Sequence, residues 1–142
     1  MEIIDVNQEN YEKCLNFLKK VKSLESIDSE VLRQASVIIG DDNEIEGILS
    51  YEKFASFGLV RYFIYKKTLA DEVLFSLFNH LKEKIIKDQI KRLVAIIIRS
   101  DVVEVFKKLG FEEVNPDYFF IEETNILNTN FHDAYILTIN LQ

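Results

Sequence analysis

Cysteine is almost absent from this chain: Cys14 is the only one, so no disulfide can form within it. Such a sequence suits a reducing compartment and has to be held together by its core. Glycine and proline are also scarce, four and one in 142 residues, and none cluster into a linker. With no repeat or low-complexity tract either, the chain reads as one domain, residues 1–142, close to the commonest domain size. Long apolar runs are missing. The longest, Leu93–Ile98, is far too short to span a bilayer, and residues 1–10 hold no basic segment followed by an apolar one. These absences predict a cytoplasmic protein without membrane association. The formal charge is −7, so a phosphate backbone is repelled and nucleic acid is set aside as a partner. The two histidines lie far apart and only one cysteine accompanies them, which excludes zinc-ligand spacing. Asp41-Asp42-Asn43-Glu44 lacks the alternating ligands and central glycine of an EF-hand and reads as a turn. No G-x-S-x-G, Walker or dinucleotide motif occurs.

What is present is an ordinary globular balance, 48% hydrophobic and 29% charged residues. Glu2–Val6 reads as a first strand. Asn7 or Asn10 caps a helix whose apolar side is Leu15, Leu18 and Val21 and whose wet side is Lys13, Asn16, Lys19 and Lys20. Asp28 or Ser29 caps a second short helix that runs to about Gln34. Ala35–Gly40 and Ile45–Lys53 flank the acidic turn as a β-hairpin, with Gly47 marking a bulge or a close backbone approach. Gly58–Tyr65 is a third strand. Val73, Leu74, Leu77, Phe78, Leu81 and Ile85 then form one face of an amphipathic helix, on which His80 falls toward the polar side. Leu93–Ile98 has no alternation, the pattern of a strand covered on both faces. A helix from about Asp101 ends at Gly110, a C-cap glycine, and Phe119–Glu122 and Ala134–Leu141 read as the last strands. Cys14 reads as a buried, inert thiol.

Three segments carry a family resemblance. Val37-Ile38-Ile39-Gly40-Asp41-Asp42-Asn43-Glu44-Ile45-Glu46-Gly47-Ile48 joins an acidic turn to an "E-I-x-G" strand. Val105-Phe106-Lys107-Lys108-Leu109-Gly110-Phe111-Glu112-Glu113-Val114 is similar to "F-Y-E-K-L-G-F-E-E-V", and Asp133-Ala134-Tyr135-Ile136-Leu137 is similar to a closing strand. Together with the order of elements, these resemble the GNAT acetyltransferases across nearly the whole chain. The resemblance implies an α/β (α+β) GNAT-like fold: a central mixed, mostly antiparallel sheet with a βαβ crossover and flanking helices. It implies acetyl-CoA as cofactor and a small-molecule or protein amine as acceptor. It further implies that the strand 58–65 splays from the strand 93–98 to receive the pantetheine arm, and that the pyrophosphate lies at the N-terminus of the crossover helix. The cofactor-binding residues so assigned are Phe63, Ile64, Tyr65, Lys66, Lys67, Ala70 and Phe106. Glu52 is assigned as the base.

Two departures qualify the resemblance. The glycine-rich phosphate loop of the family is replaced by Lys67-Thr68-Leu69-Ala70-Asp71-Glu72. Alanine restricts positive φ and adds a Cβ, and Asp71 and Glu72 put two carboxylates where an anion would sit. Phe106 stands where many members carry a tyrosine that protonates the leaving thiolate. Tyr62, Tyr65 and Tyr118 remain as replacements, with Tyr65 assigned as the catalytic one. The alternative function is a non-catalytic GNAT-like binding or regulatory module that has lost the pyrophosphate loop. His132 reads as an exposed strand-entry residue or one lining a substrate cleft. The aromatic cluster Tyr118–Phe120 suggests either a strand start or a homodimer surface.

Overall fold

The computed structural model describes residues 1–21, 24, 26–115, 120–121, 124–125 and 134–141. The elements are β1 (Glu2–Asp5), α1 (Tyr11–Lys19), α2 (Ser29–Arg33), β2 (Ser36–Ile39), β3 (Ile45–Lys53), β4 (Gly58–Tyr65), α3 (Asp71–Lys87), β5 (Arg92–Ile97), α4 (Ser100–Lys108), β6 (Glu112–Val114), β7 (Phe120–Ile121), β8 (Thr124–Asn125) and β9 (Tyr135–Asn140). The chain divides into two units. The first is Met1–Glu52 with Arg61–Asp88, the second Lys53–Val60 with Gln89–Gln142, so β4 contributes residues to both. The β4–β5 pairing is parallel, whereas β1–β2, β2–β3, β5–β9, β6–β9 and β7–β8 are antiparallel. The pairings are therefore mixed and mostly antiparallel, as expected.

In the first unit the strand order is β1-β2-β3-β4. Cys14 and Leu18 of α1, Val31 and Leu32 of α2, and Val37, Ile48 and Tyr62 of the strands share one buried cluster. Burial pushes the Cys14 thiol up to about 11, against a small opposing effect of Lys13, which suits an inert side chain. Asp28 caps α2 by accepting from the N–H groups of Glu30 (3.0 Å) and Val31 (3.3 Å). The start of α1 is different. Asn10 stands at the N-cap, but its Oδ1 accepts from Asn7 N–H (2.7 Å), while Asn7 Oδ1 accepts from Glu9 and Asn10 N–H. The two asparagines thus close a turn before the helix and leave its first turn without a side-chain cap.

Helix α3 buries Leu74, Leu77, Phe78, Leu81 and Ile85 and packs on β1 and β2. His80, read as solvated, instead meets Asp5 Oδ1 at 2.9 Å, beside Lys84 (3.3 Å) and the Ser36 hydroxyl (3.0 Å). A polar-face histidine thus ties the helix to β1. The β2–β3 register passes from Ile38–Gly47 to Ile39–Ile45, so Glu46 is the inserted residue and the bulge lies beside Gly47. Gly47 also answers the second expectation: a Cβ there would stand 3.0 Å from Ile38 Cδ1 and 3.4 Å from Tyr65 Cβ.

In the second unit the strand order is β4-β5-β9-β6. Gly110, at φ +107, ends the turn after α4, and Phe111 N–H donates to Phe106 O at 3.1 Å, the hydrogen-bonding pattern of a glycine-closed helix end. Helix α4 packs on β5 and β9, while Ile136 lies in a cluster with Phe57 and Val94. That double cover explains why Ile136 and Leu137, on opposite faces, are both buried. β6 was not expected. It is three residues long, with no alternation to announce it, and it exists because β9 offers an edge. Strand β5 is covered only in part: Leu93–Ala95 are buried, but Ile96 and Ile97 are half-buried and Ile98 is 68% exposed. The expectations for Tyr118, Phe119, His132 and the side chain of Phe120 lie outside the described residues.

Candidate functional site

The site expected from the sequence is built around β4. Lys66 N–H donates to Glu46 O at 2.9 Å and closes the end of the strand against the start of β3. In mid-strand Tyr62 adopts φ +53, a left-handed conformation that costs about 1–3 kcal/mol for a bulky residue. It is held from three directions. The ring is buried in the first unit's core. Its hydroxyl accepts from Asp28 N–H at 2.8 Å. The Arg61 guanidinium lies over the ring, 5.1 Å from its centroid, and reaches across to Glu52.

Beyond this kink, Phe63, Ile64 and Tyr65 are all half-buried. Phe63 and Tyr65 share one face, as residues two apart do, with ring centroids 4.9 Å apart and planes tilted by 44°. Ile64, on the other face, packs against the cluster of Cys14 and Leu18. Lys66 and Lys67 are exposed, and Leu69 N–H donates back to Lys66 O at 3.1 Å, turning the chain into α3. Ala70 is the N-cap of α3 at φ −70 and ψ 153, without a side-chain cap hydrogen bond. Alanine accepts that conformation without strain, so replacing a glycine here costs no backbone energy. The two carboxylates of Asp71 and Glu72 do sit in the first turn. They stabilise the helix and oppose a second anion. A strand end that leads into a helix N-terminus offers backbone amides to an extended ligand and a positive dipole end to its anionic group.

Glu52 is half-buried and its Oε1 accepts from the Arg61 guanidinium. One carboxylate oxygen is therefore engaged by the guanidinium. Its neighbour Tyr51 is buried and donates to Asp88 Oδ2 at 3.1 Å. Burial, with the Asp88 charge and hydrogen bond, pushes this phenol up to about 12, so it keeps its proton. A cavity of about 660 Å3 opens at the end of β4, lined by Lys13 and Phe17 of α1 and its C-cap Lys20 with Glu44, Ile45 and Lys66.

Glu52, Phe63, Ile64, Tyr65, Lys66, Lys67 and Ala70 all fall in the first unit, and Phe106 falls in the second. Phe106 is 1% exposed and packs edge-on against Phe111, with ring centroids 5.0 Å apart. Its ring is core and presents no surface to a ligand in this conformation. Sequence reasoning missed Arg61, and it named Tyr62 only as a replacement acid and not as a strained residue of the strand. Arg61 was discoverable, because a hairpin turning at Phe54–Phe57 sets residue 59 opposite Glu52 and puts Arg61 two positions farther on, within diagonal reach of a long side chain. Nothing in the residue type announces φ +53 at Tyr62.

No protein-family model and no curated protein matches the chain. Solved structures do. N-acetylglutamate synthase from Neisseria gonorrhoeae, complexed with coenzyme A and N-acetyl-glutamate, is similar with a TM-score of 0.73 at 16% identity over 99% of this chain. This chain spans only about a third, 35%, of the length of that enzyme. A Mycobacterium tuberculosis protein in complex with CoA is similar over the whole of both chains, with a TM-score of 0.76 at 11% identity. An acetyltransferase of the GNAT family from Staphylococcus aureus is similar over 99% of both chains, with a TM-score of 0.66 at 14% identity. At such identities the shared property is the path of the backbone: this chain has the fold of the GNAT N-acetyltransferases.

Proposed function

We propose that the chain is an acyl-CoA-dependent N-acyltransferase that carries an acetyl group from acetyl-CoA to an amine, on a small molecule or a protein, in the cytoplasm. The observation that carries this reading is in β4. The parallel register with β5 is Gly58–Leu93 and Leu59–Val94, and farther along the strand Phe63, Ile64 and Tyr65 keep partial exposure on consecutive positions. Partial exposure of these three consecutive residues supports access of an extended ligand to this end of the strand. The solved complexes with CoA support the same reading.

Acetyl-CoA, when bound, supplies an acetyl group activated as a thioester. The backbone of Phe63, Ile64 and Tyr65 holds the extended arm, and Lys66, Lys67 and the α3 terminus after Ala70 meet the anionic group. Ala70 fits this role, since it carries no side chain that would cover the helix end. Glu52 takes the proton that the amine gives up, through the oxygen not engaged by Arg61, and the Tyr65 hydroxyl returns a proton to the leaving sulfur. Phe106 supports α4 from the core.

Calorimetry with acetyl-CoA tests the reading: saturable binding supports it, and no heat at millimolar ligand ends it. The double variant Asp71→Asn, Glu72→Gln binds about threefold to tenfold more tightly, because two like charges leave the anion site. Release of free thiol with a panel of amines then separates turnover from binding alone.

A further inference from the structure

A second cavity, of about 370 Å3, lies in the first unit at the β1–α1 junction, lined by Val6, Asn7, Gln8, Tyr11 and Arg33. The protein carries 24 Asp and Glu residues and a charge of −7, and no acidic side chain lines this cavity among the described residues. Arg61 and Arg99 are each engaged by a carboxylate, Glu52 and Asp101. Arg33 pairs with none among the described residues. Its guanidinium instead lies over the Tyr11 ring, 5.1 Å from the centroid. A guanidinium stacked on an aromatic face keeps its N–H edge available and loses little freedom on forming two parallel hydrogen bonds. The rim is ordered as well. Asn7 Oδ1 already accepts two backbone N–H groups, which leaves the Asn7 amide nitrogen, together with that of Gln8, as donors beside the guanidinium. Val6, which is buried, and the body of Tyr11 supply the apolar part.

From this lining we infer that the cavity is a binding site for a small carboxylic acid, held by two hydrogen bonds from Arg33 and by the amides of Asn7 and Gln8. One guanidinium with neutral donors matches a single negative charge on a planar group. A phosphate dianion needs further cations, and none line the cavity among the described residues. The volume lies in the range of small-molecule sites. This inference does not depend on acyl transfer, since none of its residues belongs to the set proposed above.

The test is a titration of the whole chain, labelled with 15N, using butyrate, neutral butyramide and inorganic phosphate as probes. Butyrate shifts the Arg33 Nε–H and the side-chain amide signals of Asn7 and Gln8 in a saturable way, and butyramide shifts none. Arg33→Met, which keeps the stem over Tyr11, weakens butyrate binding at least about tenfold, and Arg33→Lys weakens it less. Gln8→Ala, an exposed position that leaves folding intact, gives a smaller loss and keeps the test decisive if Arg33→Met fails to fold. Shifts that do not saturate, equal affinity in Arg33→Met or Gln8→Ala, or tighter binding of phosphate than of butyrate would each overturn the assignment.

Discussion

In the second unit β5 and β9 pair through six consecutive positions, from Arg92–Asn140 to Ile97–Tyr135. In the first unit the β2–β3 register slips after Ile38, and β4 carries a tyrosine at φ +53. Regular pairing needs little beyond β-forming residues with their faces covered, as they are around Ile136 and Leu137. Irregular backbone has to be held in place, and the first unit shows how: Asp28 N–H on the Tyr62 hydroxyl, Arg61 on Glu52, Lys66 N–H on Glu46 O. Bulges and strained residues gather where a strand is re-aimed for a ligand. The unit with the irregular strands is also the one holding Glu52, Phe63–Lys67 and Ala70. The comparison teaches that the second unit is held by regular pairing and packing, while the first carries the irregular backbone together with the residues proposed for acyl transfer.

The sharpest way to break that comparison is Phe106→Ala. If the second unit is held by packing, losing a ring that is 1% exposed costs about 3–5 kcal/mol in urea unfolding. A cost below about 1 kcal/mol would mean that the site collapses easily and that the unit is not packing-dominated. Tyr62→Phe tests the other half. It removes the acceptor of Asp28 N–H and costs about 1–2 kcal/mol, with faster hydrogen exchange at Asp28 as its signature. Unchanged exchange would mean that the kinked strand is held without this bond.

The smallest effect is electrostatic. Burial pushes the Asp5 carboxyl up, but the His80 hydrogen bond, the Lys84 charge and the Ser36 hydroxyl outweigh it and hold it below the ordinary carboxylate range. A group depressed in the fold stabilises it above its unfolded pKa, roughly 4, and that contribution is lost as pH falls through the lower native value. Because Asp5 is half-exposed and screened by solvent, Asp5→Asn costs no more than about 1 kcal/mol at pH 7. The gap in melting temperature between variant and parent narrows at pH 3. A gap of equal size at both pH values would assign the loss to packing instead.

Much of the frame was readable in the chain. The bounds of β4, the buried face of α3, the Asp28 cap and the Gly110 stop each depend on residues within a turn or two of one another. The candidate site was readable only as a stretch, residues 63–70, because resemblance marks positions along a strand and not the state of each side chain. Phe106 was named for its place in a motif, and its ring proved to be core. The pairs that tie the first unit together join distant positions: Asp5 and His80 are 75 apart, Asp28 and Tyr62 are 34 apart. No local pattern encodes such a pair, since either residue alone is an ordinary polar or aromatic side chain.

The near-absence of cysteine, glycine and proline, with periodic apolar residues, was enough to determine a chain held by its core and the order of its main strands and helices. Those features act over a few residues, where backbone propensity, capping and side-chain period decide the outcome. Tertiary structure alone decided that Tyr62 would take a left-handed conformation, that Arg61 would occupy one oxygen of Glu52, and that Arg33 would lie over Tyr11 with no carboxylate beside it among the described residues. Each of these is a balance between local strain or desolvation and a contact supplied from elsewhere in the fold, and that contact exists only once the chain has closed upon itself.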